Sequence, residues 1–174
     1  MRAPSRRLIG RIILVGLSLG AALVLDQLTK RWALDELEDG QVIELVPTVR
    51  LELTFNPGVA FGMGADIGSP LAFALAAVVL ALVGWVAVRT IRNQDILATV
   101  FLAVTAGGAI GNLWDRFSRA EDGPLTGHVV DFIAVDWFAA FNVADIFTTS
   151  GIALWALMLA THARSSKEPA RGRD

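Results

Sequence analysis

From Ile67 to Val88 the chain runs 22 residues without a charge. As an α-helix that stretch is about 33 Å long, enough to cross a bilayer core of roughly 30 Å. Inside hydrocarbon the backbone must satisfy its own hydrogen bonds, so a single segment of this kind can only be helical. Three further blocks repeat the signature. Ile96 to Trp114 is also uncharged, and Val143 to His162 holds a single charge, Asp145, near its start. Ile12 to Leu25 is shorter, and Leu8 to Gly10 extend it if Arg11 snorkels toward the headgroups. Composition agrees, with 54% hydrophobic and 18% charged residues, against about 25% charged in an ordinary soluble domain. The expected fold class is an α-helical integral membrane protein. Its four transmembrane helices would span about 8–30, 67–88, 96–114 and 143–162. With a small extracytoplasmic β-sheet and outer loops in segments 31–66 and 115–142, they would make one membrane-embedded unit over residues 1–174. A second reading of the first block is a cleaved signal peptide, because Arg2, Arg6 and Arg7 resemble its charged n-region. Against it, no A-x-A-type site follows Leu25, and DQLTKRW continues a helical pattern.

The charges orient the spans. Arg2, Arg6, Arg7 and Arg11 precede or open the first, Arg89 and Arg92 lie between the second and third, and Arg164, Lys167, Arg171 and Arg173 follow the fourth. Only Lys30, Arg31, Arg50, Arg116 and Arg119 of the 15 basic residues fall on the other side. The positive-inside rule then places both termini in the cytoplasm. The net charge of −2 points to no nucleic-acid partner, and the absence of cysteine removes disulfides, thiol nucleophiles and thiolate metal sites.

The outer segments have their own pattern. Lys30 to Glu38 reads as a polar continuation of the first helix, broken at Gly40. Val49, Leu51, Leu53 and Phe55 alternate with Arg50, Glu52 and Thr54, the period of a half-buried strand. Gln41 to Val46 is its expected partner, turning at Pro47 and Thr48, and NPGVAFGMG (56–64) reads as a tight loop. The sheet is expected to rest on the membrane surface. Polar sequence from Ser118 to His128 precedes an apolar stretch that opens at Val129.

Two carboxylates stand where a membrane chain should least want them. Asp131 lies in HVVDF, and Asp145 ends FNVAD at the threshold of the fourth span. Ionisable groups there are costly and mark function by default. Two carboxylates sharing a proton can activate water and protonate a leaving nitrogen. The plainer alternatives are that Asp145 or Asn142 caps the fourth helix, and that Asp131 forms a salt bridge with Arg116. Asp136 is a rival carboxylate in an interfacial turn. In GGAIGNLWDR (107–116), Gly107 and Gly111 favour close helix packing, whereas Asn112, Asp115 and Arg116 set polar groups at the outer boundary, to hold a substrate backbone or orient the aspartates. Asp26 and Lys30 in DQLTK are spaced i, i+4 and read first as a structural ion pair, with headgroup contact as the alternative. No strained turn surrounds any serine, and the two histidines are too far apart to suggest zinc.

Taken in order, DQLTK (26–30), FNPGVAFG (55–62), GGAIGNLWDR (107–116), VVDF (129–132) and FNVAD (141–145) resemble the motif boxes of the lipoprotein signal peptidase, or signal peptidase II, family over nearly the whole chain. The resemblance implies an intramembrane aspartic endopeptidase of the bacterial cytoplasmic (inner) membrane. Such an enzyme removes signal peptides from prolipoproteins by cutting before a diacylglyceryl-modified cysteine. It implies catalysis by Asp131 and Asp145, supported by Asp26, Lys30, Asn56, Asn112, Asp115, Arg116 and Asn142, with no metal or other cofactor. The implied partners are lipid-modified prolipoproteins and membrane lipids, and the expected form is a monomer. Two departures stand out: a longer stretch between Asp115 and Asp131, carrying SRAEDGPLTG, and a shorter one between the two aspartates. Rivals from other classes are a small transporter, which would set its acids at mid-membrane, and a structural subunit, which would not need these groups at one depth.

Overall fold

A computed structural model describes residues 5–58, 63–121 and 123–165. Part of the NPGVAFGMG loop, Arg2 and the tail residues Lys167, Arg171 and Arg173 lie outside the described residues. Helix α1 spans Arg6–Glu36 and starts at Ser5, whose hydroxyl accepts the Leu8 N–H at 3.3 Å. The expected first span and its polar continuation are thus one helix. It stops at a short 3-10 turn, Glu38–Gly40, where Asp39 and Gly40 take φ of 63° and 77°. The left-handed conformation cannot propagate a right-handed helix. Helix α2 spans Ser69–Ile91, α3 Ile96–Ser118 and α4 Val143–Ser165. All four helices are long and apolar enough to cross a membrane.

Packing sorts their faces. Val15, Val86, Leu102 and Ala103 form a buried cluster that joins α1, α2 and α3. Leu17, Val78, Leu80 and Leu157 are exposed, as lipid-facing side chains must be. The helices meet at α3 through glycine. A Cβ on Gly107 would strike the Leu19 carbonyl and Ala22 of α1, and one on Gly108 would lie 2.6 Å from the Ala144 carbonyl of α4. This is the close approach expected of the Gly107/Gly111 step, extended to a second neighbour.

The outer sheet is larger than the expected hairpin. Strands β1 (Val42–Val46) and β2 (Val49–Asn56) pair as read from the alternation, and β3 (Val129–Val135) and β4 (Phe138–Phe141) complete an antiparallel order β1-β2-β3-β4. The second outer segment was expected only to turn apolar at Val129. β3 is almost wholly buried, so apolar residues fall on both of its faces and the period-two signal is missing. Phe132 packs on Ala33 and Leu37 of α1, and meets Trp32 edge-on at 6.3 Å between ring centres. Val129 and Asp131, two residues apart, take the opposite face.

Candidate active site

Asp131 sits in the middle of β3, opposite Thr54 of β2, and its residue surface is 2% exposed. Asp145 lies in the first turn of α4. Three asparagines hold the two carboxylates. Asn56 at the end of β2 donates from Nδ2 to Asp131 Oδ2 at 3.0 Å. Asn142, between β4 and α4, donates from Nδ2 to Asp131 Oδ1 at 2.7 Å and from its backbone N–H to Asp145 Oδ2 at 3.1 Å. Asn112 of α3 donates from Nδ2 to Asp145 Oδ1 at 2.9 Å. Among the described residues each of the four carboxylate oxygens therefore receives one N–H, and such an oxygen has a second lone pair that can take a proton or a water.

Each amide is locked the right way round. Asn56 Oδ1 accepts the Gly58 N–H at 3.0 Å, and Asn142 Oδ1 accepts the Asp145 N–H at 3.1 Å. Asn112 Oδ1 accepts from Lys30 Nζ at 2.7 Å and from Asn142 Nδ2 at 3.1 Å. With their oxygens so engaged, the amides can only present N–H to the aspartates. The Asn142 and Asp145 bonds form a reciprocal helix cap. The capping alternative is thus correct as a description, and it is also what sets Asp145 beside Asn112. Burial, joined by the neighbouring Asp145 charge, pushes the Asp131 carboxyl up to about 6, while the hydrogen bonds from Asn56 and Asn142 and the Lys30 charge hold it down.

Beneath the pair lies a buried ionic cluster. Lys30 Nζ is 3.0 Å from both Asp26 Oδ2 and Asp115 Oδ2, and these three side chains are at most 3% exposed. Burial this deep removes the headgroup-contact alternative for Asp26 and Lys30 and leaves the structural ion pair. Asp26 Oδ1 accepts the Ala144 N–H at 3.0 Å, tying the start of α4 to α1. Asp115 Oδ2 accepts the Val130 N–H at 3.1 Å, one residue before Asp131. Gln27 donates from Nε2 to Asp26 Oδ2 at 3.1 Å and to Asp115 Oδ1 at 3.2 Å. Sequence reasoning passed over Gln27, although it stands inside DQLTK between two acids that need donors. Asp115 thus serves Lys30, Gln27 and β3 rather than presenting its carboxylate to a substrate.

Arg116 donates to the carbonyls of Pro57 (3.2 Å) and Gly58. It clamps the loop after β2, and the alternative of a salt bridge between Arg116 and Asp131 is not formed among the described residues. Asp136, the rival carboxylate, is half exposed in the turn after β3 and pairs with Arg50 at 2.6 Å. The long stretch before Asp131 is tied down where Ser69 donates to the Pro124 carbonyl at 3.1 Å and Gly127 N–H to that of Arg116 at 3.0 Å.

Asp131, Asp145, Asn56, Asn112 and Arg116 line one cavity of about 660 Å³. Its lower wall is apolar, with Leu75 and Val79 of α2, Leu113 of α3 and Ile146 of α4. Asp26, Lys30, Asp115 and Asn142 stand behind the wall. The acids gather where the helices meet the sheet, not at mid-depth of the spans. Two carboxylates, one on a strand and one on a helix, thus stand at an apolar cleft in a chain with four helices long and apolar enough to cross a membrane.

Comparison with known proteins gives the family. The sequence model described as signal peptidase (SPase) II matches residues 18–161. A lipoprotein signal peptidase of Bifidobacterium adolescentis is 40% identical over 170 residues, covering 97% of this chain and 88% of that protein. One from Pseudomonas putida is 42% identical over 178 residues, covering 97% and 96%. A solved structure titled a bacterial membrane enzyme shares the fold with a TM-score of 0.69 at 22% identity, covering 94% of both chains. The chain belongs to the signal peptidase II family. It is an aspartic endopeptidase and a multi-pass membrane protein, and the transporter and structural-subunit readings fall away.

Proposed function

We propose that Asp131 and Asp145 are the catalytic pair of an endopeptidase that cuts bacterial prolipoproteins just before a diacylglyceryl-modified cysteine. The observation that carries the reading is the bridging of two carboxylates by Asn142 at the polar end of an apolar cavity. The apolar wall suits lipid tails and a signal-peptide segment, and the polar end suits the scissile peptide. Burial raises the Asp131 carboxyl to about 6, and in the active form of the pair the shared proton is on Asp131. Asp145 accepts a proton from water as the water oxygen attacks the scissile carbonyl carbon. Asp131 hydrogen-bonds to the carbonyl oxygen, which takes the electron pair. Collapse of the tetrahedral intermediate breaks the C–N bond, the leaving nitrogen takes a proton from the pair, and a carboxylic acid and an amine result. Asn56, Asn112 and Asn142 orient the acids, while Asp26, Lys30, Gln27 and Asp115 hold the backbone that carries them.

The same reading makes the protein one membrane-embedded unit in the bacterial cytoplasmic membrane, with both termini in the cytoplasm and the sheet and aspartates on the extracytoplasmic side. Its partners are lipid-modified precursors and membrane lipids, and it acts as a monomer without a cofactor. The test is cleavage of a diacylglyceryl-modified peptide by purified protein. Asp131→Asn and Asp145→Asn should each lower the rate about a thousandfold or more with an unchanged melting curve in detergent. Wild-type rates from either variant would overturn the assignment.

A further inference from the structure

Helix α4 carries three adjacent hydroxyls, Thr148, Thr149 and Ser150, soon after Asp145. All three line the cavity. Two of them donate their proton to the helix itself. Thr148 donates to the Ala144 carbonyl at 2.8 Å, and Ser150 to that of Ile146 at 2.5 Å. Thr149 is exposed, and its hydroxyl makes no hydrogen bond among the described residues. It stands in the middle of a stripe, Asp145, Thr149 and Ala153, that lies on the cavity wall. Residues four apart share one face of a helix. That spacing sets Thr149 about 6 Å farther along α4 than Asp145, away from the sheet and into the span. The lower wall around it, Leu75, Val79, Leu113 and Ile146, has no polar side chain. An unused donor becomes costly once an apolar ligand displaces water from it, so a ligand that fits this cavity brings an acceptor to that depth.

We propose that the Thr149 hydroxyl, one helical turn into the span from Asp145, donates a hydrogen bond to an acyl ester carbonyl of the diacylglyceryl group on the substrate cysteine. The proposal rests on the peptidase reading above and deepens it by naming a residue that recognises the lipid. The scissile amide nitrogen belongs to that cysteine, so the lipid begins beside the acids. A thioether and a short glyceryl arm carry its ester carbonyls onward along the apolar wall, toward the depth at which Thr149 stands. A signal-peptide helix in the same region satisfies its carbonyls internally, whereas an ester carbonyl has no donor of its own. A cysteine without acyl chains, or with chains that lack the carbonyl, offers Thr149 no such acceptor. The contact therefore discriminates between substrates as well as adding affinity.

Two peptides of one sequence test this. One carries a diacylglyceryl cysteine, and the other a dialkylglyceryl cysteine, whose ether links keep the chains and lack the carbonyls. The wild-type enzyme should cut the diacyl peptide with a kcat/KM roughly fivefold above that for the dialkyl one, the effect of one hydrogen bond. In Thr149→Val, which keeps the shape of the side chain and loses the hydroxyl, that preference should vanish. In Thr149→Ser, which keeps the hydroxyl, it should persist. Equal kcat/KM for the two peptides in the wild type would overturn the proposal without any variant. A preference undiminished in Thr149→Val would overturn it too, and if both peptides lose rate together there, the hydroxyl meets a peptide carbonyl instead. Loss of the preference in Thr149→Ser as well would trace it to packing rather than to the hydroxyl, and would also overturn the proposal. In each of these cases the diacyl peptide is still cut and the peptidase reading stands. Failure of the wild-type enzyme to cut the diacyl peptide would overturn both.

Discussion

At the scale of residues the site is a set of carboxylates steered by amides. Asp131 ionises with difficulty because it is buried beside Asp145, and Asn56 is the largest influence holding its carboxyl down. The sign of a pH experiment follows. With Asp131 protonated in the active enzyme, kcat/KM falls as pH rises through about 6, the value to which burial raises that carboxyl. The apparent constant belongs to the pair rather than to one acid. Asn56→Ala removes a hydrogen bond that favours the charged form, so the alkaline limb should move to higher pH while the maximum rate drops. A pH profile of lipopeptide cleavage by both proteins checks it, and movement to lower pH contradicts the role given to Asp131. The aspartates and Asn112 stood out in the sequence as polar groups at an apolar boundary, Asn142 as a helix cap, and Asn56 only through the family resemblance. Gln27 did not, because an uncharged residue beside Asp26 reads as an ordinary helix surface until Asp115 is seen across from it.

Among elements, α3 is the post on which the others lean. Its glycines let α1 and α4 approach to backbone distance, and Gly111 faces the Asp26 carboxyl itself. Gly111→Ala would set a methyl 3.0 Å from Asp26 Cγ and closer still to its oxygen. The expected cost is about 1–3 kcal/mol, read as a lower melting temperature in detergent together with reduced activity. Gly84 of α2 has open space around it, so Gly84→Ala should leave both unchanged. Equal effects in the two variants would refute the packing argument. Apolar length made the helices legible, and alternation made β1 and β2 legible. β3 and β4 were not legible. A strand buried on both faces looks like any short apolar run, and β4 has only four residues, Phe138–Phe141.

For the whole molecule, Lys30 is the joint. It faces Asp26 of α1 and Asp115 of α3, and those acids in turn hold the starts of α4 and β3. Lys30→Met leaves two buried carboxylates without their cation, an expected loss of about 3–5 kcal/mol. Adding Asp115→Asn removes one of the stranded charges and should recover part of it. Melting curves of the single and double variants measure that coupling, and additive losses would show that Lys30 acts elsewhere. By itself the sequence determined the four membrane-length helices, the first two strands, the family and the acids near the ends of the apolar blocks. Each of these follows from local composition, periodicity or motif order. Only the tertiary structure decided which donor meets which oxygen, that Arg116 grips a loop instead of Asp131, and that the sheet has a second half bearing Asp131. Those outcomes depend on hydrogen bonds between residues as far apart as Asp26 and Ala144. Such bonds form only when helices and sheet close together, and they leave no period or pattern along the chain.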